Sequence, residues 1–139
     1  MNQTYLETCA GVLVITSDQQ TIYMAEFIDN YDLDNNIPFV EVTYFDNHDI
    51  LLDGTPFQQL VWDEILKIPL GQTRTYTQIA EAIQRPTCYR AVANACGANK
   101  IALFIPCHRV VGKGGKIGGY KWGPTRKEKL LVVETSLIS

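Results

Sequence analysis

A cysteine followed directly by a histidine is the feature of this sequence with the most chemical content. Cys107 lies between Pro106 and His108, after an apolar stretch and before a glycine-rich loop. A thiolate is a strong nucleophile, and a neighbouring base or positive charge raises the thiolate population. A cysteine taken alone is more often a buried structural residue. Because His108 and Arg109 follow at once, the sequence predicts a nucleophilic thiol.

The remaining cysteines predict neither disulfides nor a metal site. The chain has four cysteines and two histidines, and no two cysteines have the CxxC spacing of zinc sites. We therefore expect reduced thiols, no metal and no cofactor. The first residues lack a basic signal segment, and no apolar run reaches the length of a membrane span. The sequence thus predicts a cytoplasmic protein, or a nuclear one if the source is eukaryotic, with no membrane partner.

The net charge of −3 hides a strong asymmetry along the chain. Residues 1–56 contain ten acidic and no basic residues, whereas residues 57–139 contain all twelve basic and five acidic residues. The two parts therefore carry −10 and +7. A basic part of this size suits a polyanion such as DNA. Two simpler causes of the asymmetry stay open: the two parts attract each other, or the acidic face is solvated surface.

The acidic part has the pattern of a small antiparallel sheet. Residues 11–16 and 21–27 are rich in β-branched and apolar side chains, and the polar segment 17–20 between them predicts a hairpin. Alternation over residues 39–45 predicts a third strand. We place the domain boundary in the polar connection that follows, so that residues 1–54 form a β-rich N-terminal domain.

Capping boxes predict helix starts in the remaining part, residues 55–139. Thr55 and Thr75 each precede a Gln three residues later, a spacing in which the two side chains cap the first turn. Pro56, at the first helical position, strengthens the first of these signals. The second helix should end near Pro86, because the residue before a proline avoids the helical conformation.

A third helix should follow, with Thr87 as its cap and a stop before Asn99. Two short helices joined by a tight turn are typical of a helix-turn-helix. Residues 100–106 should be extended, and a capping box at Thr125 should open a last helix that runs through Glu134. The predicted fold class is α+β, with a small N-terminal antiparallel sheet and a C-terminal helical domain that contains the helix-turn-helix.

The cysteine motif, in this order of elements, resembles that of the O6-alkylguanine-DNA alkyltransferases, the methylated-DNA–protein-cysteine methyltransferases. The similarity runs from about Phe57 to Glu134. Trp122, within Tyr-Lys-Trp-Gly, resembles most the alkyltransferase half of the bacterial adaptive-response protein. The matching residues are Thr75 to Ala80, Arg90 to Val92, Asn99, Pro106 to Val110, Gly119-Tyr120, and Lys127-Glu128 with Leu130-Leu131.

This resemblance implies DNA repair by direct alkyl transfer. The partner would be double-stranded DNA that contains O6-alkylguanine, with O4-methylthymine as a further substrate. The damaged base would be flipped out of the duplex, because its O6 atom is not reachable within the stack. Cys107 would keep the alkyl group as a thioether, so each molecule would act once. We expect the protein to work as a monomer.

The resemblance also implies that several side chains assist Cys107. His108 would take the thiol proton through a bridging water, because adjacent residues of an extended chain point to opposite sides. Glu134 would orient and stabilise the imidazole. Asn99 would hydrogen-bond near the thiol, and Tyr76 would donate to the flipped nucleotide. Taken singly, His108 and Tyr76 fit a structural histidine and a half-buried tyrosine equally well, whereas Glu134 and Asn99 are more typical of a surface carboxylate and a helix-end asparagine. Only as a set do the four residues favour catalysis.

Further residues are assigned by the resemblance to DNA and to the base pocket. Arg90 would enter the base stack from a helix in the minor groove. Trp122 stands where relatives that accept large adducts have a glycine, which predicts a pocket that favours methyl over benzyl groups. The other DNA-binding assignments are Tyr76, Ala91, Thr75 and Lys127. The other pocket assignments are Tyr120, and Val110 and Lys121 through their backbone groups.

Three alternative functions stay open. The first is a protein of the same fold that binds alkyl lesions without transferring the group; relatives of that kind lack the cysteine that is present here. The second is a cysteine hydrolase that uses Cys107 and His108, for which no oxyanion motif is evident. The third is a DNA-binding regulator in which Cys107 is only a redox or structural thiol.

Overall fold

The computed structural model describes residues 1–137 and divides them into two compact units. The first unit comprises Met1–Leu52 and Lys100–Phe104, and the second comprises Asp53–Asn99 and the chain from Ile105 onward. The predicted boundary after residue 54 is therefore incomplete, because it assigns Lys100–Phe104 to the helical domain. These residues instead pair with the sheet of the first unit, as described below.

Three antiparallel strands form most of that sheet: Asn2–Thr8 (β1), Gly11–Ser17 (β2) and Thr21–Ile28 (β3). The predicted hairpin is confirmed as β2 and β3, whereas the sequence pattern did not predict β1. The short strand Asp49–Ile50 (β4) lies parallel to β3 and completes the order β1-β2-β3-β4. The sheet is thus mixed and not purely antiparallel as predicted.

The predicted third strand over residues 39–45 is wrong. Phe39 makes one isolated parallel bridge with Tyr5 on β1, and the chain then turns into a 3-10 helix at Val42–Phe45. The ring of Phe45 is buried and lies 5.4 Å from that of Phe104, whereas Val42 stays exposed. The alternation of apolar residues in this segment is that of a strand, but within this short helix Phe45 is the residue whose side chain is buried.

The predicted extended stretch before Pro106 is also wrong. The amide of Ala25 on β3 donates to the carbonyl of Lys100, and the amide of Ala102 donates back to Ala25. The chain then turns sharply at Leu103, which has a left-handed φ of 71°. Ile101 and Ala102 are fully buried, so this segment contributes its apolar side chains to the sheet unit.

Up to residue 137, the second unit contains four α-helices, two short 3-10 helices and a two-stranded parallel ladder. The helices are Pro56–Ile65 (α1), Tyr76–Ala82 (α2), Tyr89–Gly97 (α3) and Pro124–Leu137 (α4). The ladder pairs Arg74–Thr75 (β5) with Val110–Val111 (β6). Helices α2 and α3, joined by residues 83–88, form the predicted helix-turn-helix, and the α+β fold class is confirmed.

Both of the first two capping boxes form as predicted. The Thr55 hydroxyl accepts from the Gln58 amide, while the Gln58 side chain accepts from the Thr55 amide. Thr75 and Gln78 make the same reciprocal pair at the start of α2. Each box satisfies two amides that lack a partner within the helix. This fixes the start of α2 directly beside β5.

The predicted starts of α3 and α4 need correction. The first helical bond of α3 runs from the Val92 amide to the carbonyl of Cys88, so Cys88 and not Thr87 is its N-cap. The corresponding bond of α4 reaches the carbonyl of Gly123, whose φ of 101° suits glycine. Thr125 therefore lies inside the first turn of α4 instead of capping it.

The core of the second unit joins α1 to α3. Trp62 is buried, and its indole N–H donates to the carbonyl of Ala95 at 2.9 Å. Val61 and Ile65 on α1 and Val92 on α3 are fully buried beside it. This packing fixes the position of α3 against α1. Among residues 1–137, no helix is both long and apolar enough to cross a bilayer.

Candidate active site

The segment that carries the thiol is a tight turn. Residues Cys107–Arg109 form a 3-10 helix, in which the Arg109 amide donates to the carbonyl of Pro106. Cys107 is 3% exposed and His108 is fully buried. The extended geometry that predicted opposite orientations for these two side chains is therefore wrong. The turn leads directly into β6, whose pairing with β5 ties it to the start of α2.

A cavity of about 320 Å³ opens onto Cys107. This volume lies at the lower end of the range of small-molecule sites. Four segments form its walls: the start of α2, the last turns of α3, the turn that carries Cys107, and the chain before α4. The lining residues are Tyr76, Ala93, Cys96, Gly97, Cys107, Gly119, Tyr120 and Lys121.

Two neighbours affect the Cys107 thiol. The amide nitrogen of Asn99 donates to Sγ at 3.3 Å and to the Ile105 carbonyl at 3.0 Å. The side chain of Cys96 lines the same cavity as that of Cys107 and raises its pKa. Together, Cys96 and burial raise the pKa of Cys107 well above its usual value, while Asn99 and the charge of Lys127 oppose this rise. Cys107 is thus a neutral thiol at rest, and alkyl transfer would need a base.

Such a base lies in the adjacent His–Glu pair. His108 Nε2 lies 2.8 Å from Oε2 of Glu134 on α4. Burial alone would raise the pKa of Glu134, but hydrogen bonds from His108 and Arg109 outweigh it and lower the pKa to about 2. A carboxylate only accepts, so Nε2 carries the proton and Nδ1 of neutral His108 keeps its lone pair. Nδ1 is buried and has no hydrogen-bond partner among the described residues.

Arg109 is a site residue that the sequence patterns did not assign. Its Nε and Nη2 donate to the two oxygens of Glu134 at 2.9 and 3.0 Å, and its Nη1 donates to the Ile68 carbonyl at 2.9 Å. These two parallel hydrogen bonds fix the orientation of the Glu134 carboxylate, and with it the position of the oxygen that binds His108. The sequence placed Arg109 next to His108 but gave no indication that Glu134, on another helix, would bind both.

The predicted role of Lys127 as a DNA contact is not supported, because its side chain is fully buried. Its Nζ donates to the Val110 carbonyl at 2.6 Å and to the Gly119 carbonyl at 3.2 Å, and lies 3.4 Å from the Tyr76 hydroxyl. Burial lowers the pKa of Lys127 to about 8. The ammonium group therefore stabilises the interior of the site and is not available to a phosphate.

Two of the four predicted pocket residues line the cavity. These are Tyr120 and Lys121. The Val110 side chain is fully buried, and its carbonyl is already bound by Lys127. Trp122 is not among the lining residues, but its ring lies 5.3 Å from that of Tyr120 and so packs against a residue of the cavity wall.

The cavity wall on α3 was not predicted. Ala93, Cys96 and Gly97 fall three and four positions apart, which places them on one face of a helix. This spacing of small residues is visible in the sequence and would have identified the face.

The remaining assigned residues lie near the start of α2 and α3. Arg90 is exposed on the first turn of α3, and Ala91 beside it is half-buried. Thr75 uses its hydroxyl to cap α2. Tyr76 is half-buried, its hydroxyl points to the Gly119 carbonyl at 3.5 Å, and burial raises its pKa to about 12. No cluster of three or more potential metal ligands occurs within residues 1–137.

The fold and the site define a class: an α+β protein whose helix-turn-helix unit holds a buried cysteine beside a His–Glu pair. The family model described as the 6-O-methylguanine DNA methyltransferase DNA-binding domain matches residues 56–136. This match covers more than half of the chain, and the chain belongs to that family.

Named relatives agree with this assignment. A probable methylated-DNA–protein-cysteine methyltransferase of Acanthamoeba polyphaga mimivirus is 59% identical over 91 residues, which cover 66% of this chain and 60% of that protein. The regulatory protein ada of Salmonella typhimurium is 55% identical over 80 residues, which cover 58% of this chain and 23% of that protein. The crystal structure of Mycobacterium tuberculosis OGT in complex with DNA matches with a TM-score of 0.82 at 31% identity and covers 98% of this chain and 94% of that one. The sequence matches thus span less than two thirds of these curated relatives.

Proposed function

We propose that this protein repairs alkylated duplex DNA by moving the alkyl group of O6-alkylguanine, and of O4-methylthymine, onto Cys107. The Sγ atom forms a bond to the alkyl carbon while the carbon–O6 bond breaks and its electron pair stays on the base. The thiol loses its proton to His108. The observation that carries this proposal is the position of Cys107 at the cavity of about 320 Å³, with the His108–Glu134 pair behind it. Since the resulting thioether is stable, each molecule acts once.

The proton path follows from the tautomer that the contact with Glu134 sets for His108. Glu134 is ionised and accepts from Nε2–H, so the free lone pair is on Nδ1. A buried polar atom without a partner is rare and often marks a catalytic role. We infer that Nδ1 receives the Cys107 proton through a bridging water. The positive imidazole that forms is stabilised by the adjacent carboxylate, as in other nucleophile–base pairs.

The leaving base needs a donor for its growing negative charge. The Tyr76 hydroxyl stays protonated at neutral pH, because its pKa is about 12, and it lies at the cavity. We infer that Tyr76 donates to the flipped guanine. Lys127, 3.4 Å from this hydroxyl, holds it in place. Asn99 orients the sulfur through its hydrogen bond to Sγ.

DNA binding is assigned to the helix-turn-helix. Arg90 is exposed on α3, one to two turns before the cavity-lining Ala93, Cys96 and Gly97. From there its guanidinium would fill the space of the flipped base in the stack. Contact from the minor groove suits the small side chain of Ala91. We propose that the protein acts as a monomer where DNA is, in the cytoplasm or in a nucleus.

The test is the mass of the intact protein after incubation with a duplex that contains one O6-methylguanine. We expect a gain of one methyl group per molecule and none with the unmodified duplex. Cys107→Ser should bind the duplex and gain nothing, while the matched control Cys88→Ser, changed on the same unit but outside the cavity, should gain one methyl group. An unmodified wild-type protein would refute the proposal.

The lesion-binding alternative is favoured by one observation, the raised pKa of Cys107, which keeps the thiol neutral. The same experiment separates the two functions. Tight binding of the methylated duplex by the wild-type protein without any mass gain would establish lesion binding.

A further inference from the structure

Cys96 has no part in the proposed transfer, yet it lies at the acceptor thiol. It lines the same cavity as Cys107 and is half-buried, whereas Cys107 is almost fully enclosed. Asn99 is hydrogen-bonded to both residues, to the Cys96 carbonyl and to the Cys107 thiol. We propose that Cys96 and Cys107 form a reversible disulfide when the protein meets a peroxide, which makes Cys96 a modification site for the acceptor thiol.

Asn99 links the two residues in the structure. Its backbone amide donates to the Cys96 carbonyl at 3.2 Å, and its side-chain amide donates to Cys107 Sγ at 3.3 Å. A disulfide requires the two sulfurs to approach to about 2 Å. Cys96 lies in the last turn of α3, which ends at Gly97. A helix end adjusts more easily than a helix centre, because its last carbonyls lack helical partners. The cavity that both residues line gives a small oxidant access to each of them.

The chemistry balances with hydrogen peroxide as the oxidant. One thiol, as its thiolate, attacks a peroxide oxygen; the O–O bond breaks, and a sulfenic acid and water form. The other thiol attacks that sulfur, the S–O bond breaks, and a second water leaves. Two thiols and one peroxide thus give one disulfide and two waters. The raised pKa of Cys107 slows the first step at neutral pH, so the rate should increase as the pH rises.

The consequence for repair rests on the proposed function. A disulfide at Cys107 blocks alkyl transfer, but a thiol reductant restores it, whereas oxidation to a sulfinic acid does not reverse in this way. Because Cys107 is the acceptor thiol of the proposed transfer, its irreversible oxidation would inactivate the molecule. Cys96 would therefore preserve the acceptor during oxidative exposure.

Tryptic peptide mapping tests the disulfide directly. Lys100 lies between the two cysteines, so trypsin separates residues 91–100 from 101–109. After hydrogen peroxide treatment and alkylation of free thiols, we expect these two peptides to stay linked without reductant and to separate with dithiothreitol. Cys88→Ser should give the same linked pair, because Cys88 is outside the cavity. Cys96→Ser and Cys96→Ala should give none, and Cys107 should carry added oxygen that dithiothreitol does not remove.

Methyl transfer is then measured for each protein relative to its own rate before oxidation. The wild type should recover with dithiothreitol, and both Cys96 variants should recover only in part. If the reduced wild type transfers methyl groups but peroxide yields no linked pair, the disulfide proposal is overturned and the proposed function stands. If the linked pair forms but the reduced protein never gains a methyl group, the proposed function is overturned and the modification site stands.

Discussion

The substitution Glu134→Gln tests the charge network that supports Cys107. In the wild type, one carboxylate binds His108 and Arg109 through three contacts of 2.8 to 3.0 Å. The amide of Gln has one acceptor and one donor group, so it cannot accept from both partners in the same way. It also leaves the largely buried Arg109 without a counter-charge. We expect losses in both stability and alkyl transfer.

The stability loss follows from the pKa of Glu134. This pKa falls from an ordinary 4.5 to about 2 in the folded protein, so the unfolded chain binds the proton more tightly. At 1.36 kcal/mol per unit, the ionised carboxylate contributes about 3 kcal/mol to the free energy of unfolding. The contribution is complete above pH 4.5 and is lost as the pH falls to about 2. The side chain introduced by Glu134→Gln does not titrate, so the variant lacks this pH-dependent contribution to stability.

The assay is urea denaturation of both proteins across this pH range. At neutral pH the variant should be less stable by about 3 kcal/mol, and the difference should shrink below pH 4.5. Glu128→Gln, at an exposed position on the same helix, should match the wild type within about 0.5 kcal/mol. Single-turnover methyl transfer should slow by about 10²-fold or more, as for loss of general-base assistance. A difference in stability that stays constant with pH would refute the role of the carboxylate.

Three further substitutions separate the roles of individual side chains. Lys127→Met should slow methyl transfer but leave unchanged the slope of the logarithm of the DNA-binding constant against the logarithm of the salt concentration. If Lys127 contacted a phosphate instead, the substitution would reduce the magnitude of this slope by about one. Arg90→Ala should weaken DNA binding by about 1–3 kcal/mol, measured by fluorescence anisotropy, and leave transfer from the free base O6-methylguanine unaffected. Trp122→Gly should raise the rate of benzyl transfer relative to methyl transfer, because Tyr120 loses its support. Equal rates for the two adducts in the wild type would contradict the narrow-pocket prediction.

Local signals in the sequence predicted the helical unit well. A capping box is a bond between residues three positions apart, so Thr55 and Thr75 mark their helices without knowledge of the fold. The alternation over residues 39–45 failed because a strand needs a partner along its length. Here Phe39 finds one only at Tyr5. Strand β1 was missed because its first residues, Asn2 to Thr4, are polar.

The contact between His108 and Glu134 was predicted, because the resemblance implied it. Lys127 was not predictable, because its partners are backbone carbonyls, which every residue carries. A lysine is also rarely buried, so surface contact was the natural expectation. The role of Arg109 stayed hidden for a different reason: the resemblance paired Glu134 with His108 alone, and no local signal connects Arg109 to a residue 25 positions away.

Helix α3 carries Arg90 near its start and three small residues of the cavity wall toward its end. A helix of this length moves as one body, so, if the protein has the proposed function, any tilt that the duplex imposes near Arg90 would also change the width of the cavity at Cys107. Flanking base pairs that the protein never reads would then alter how fast a given lesion is removed. Repair efficiency would vary with the local stiffness of the DNA, even for a chemically identical adduct.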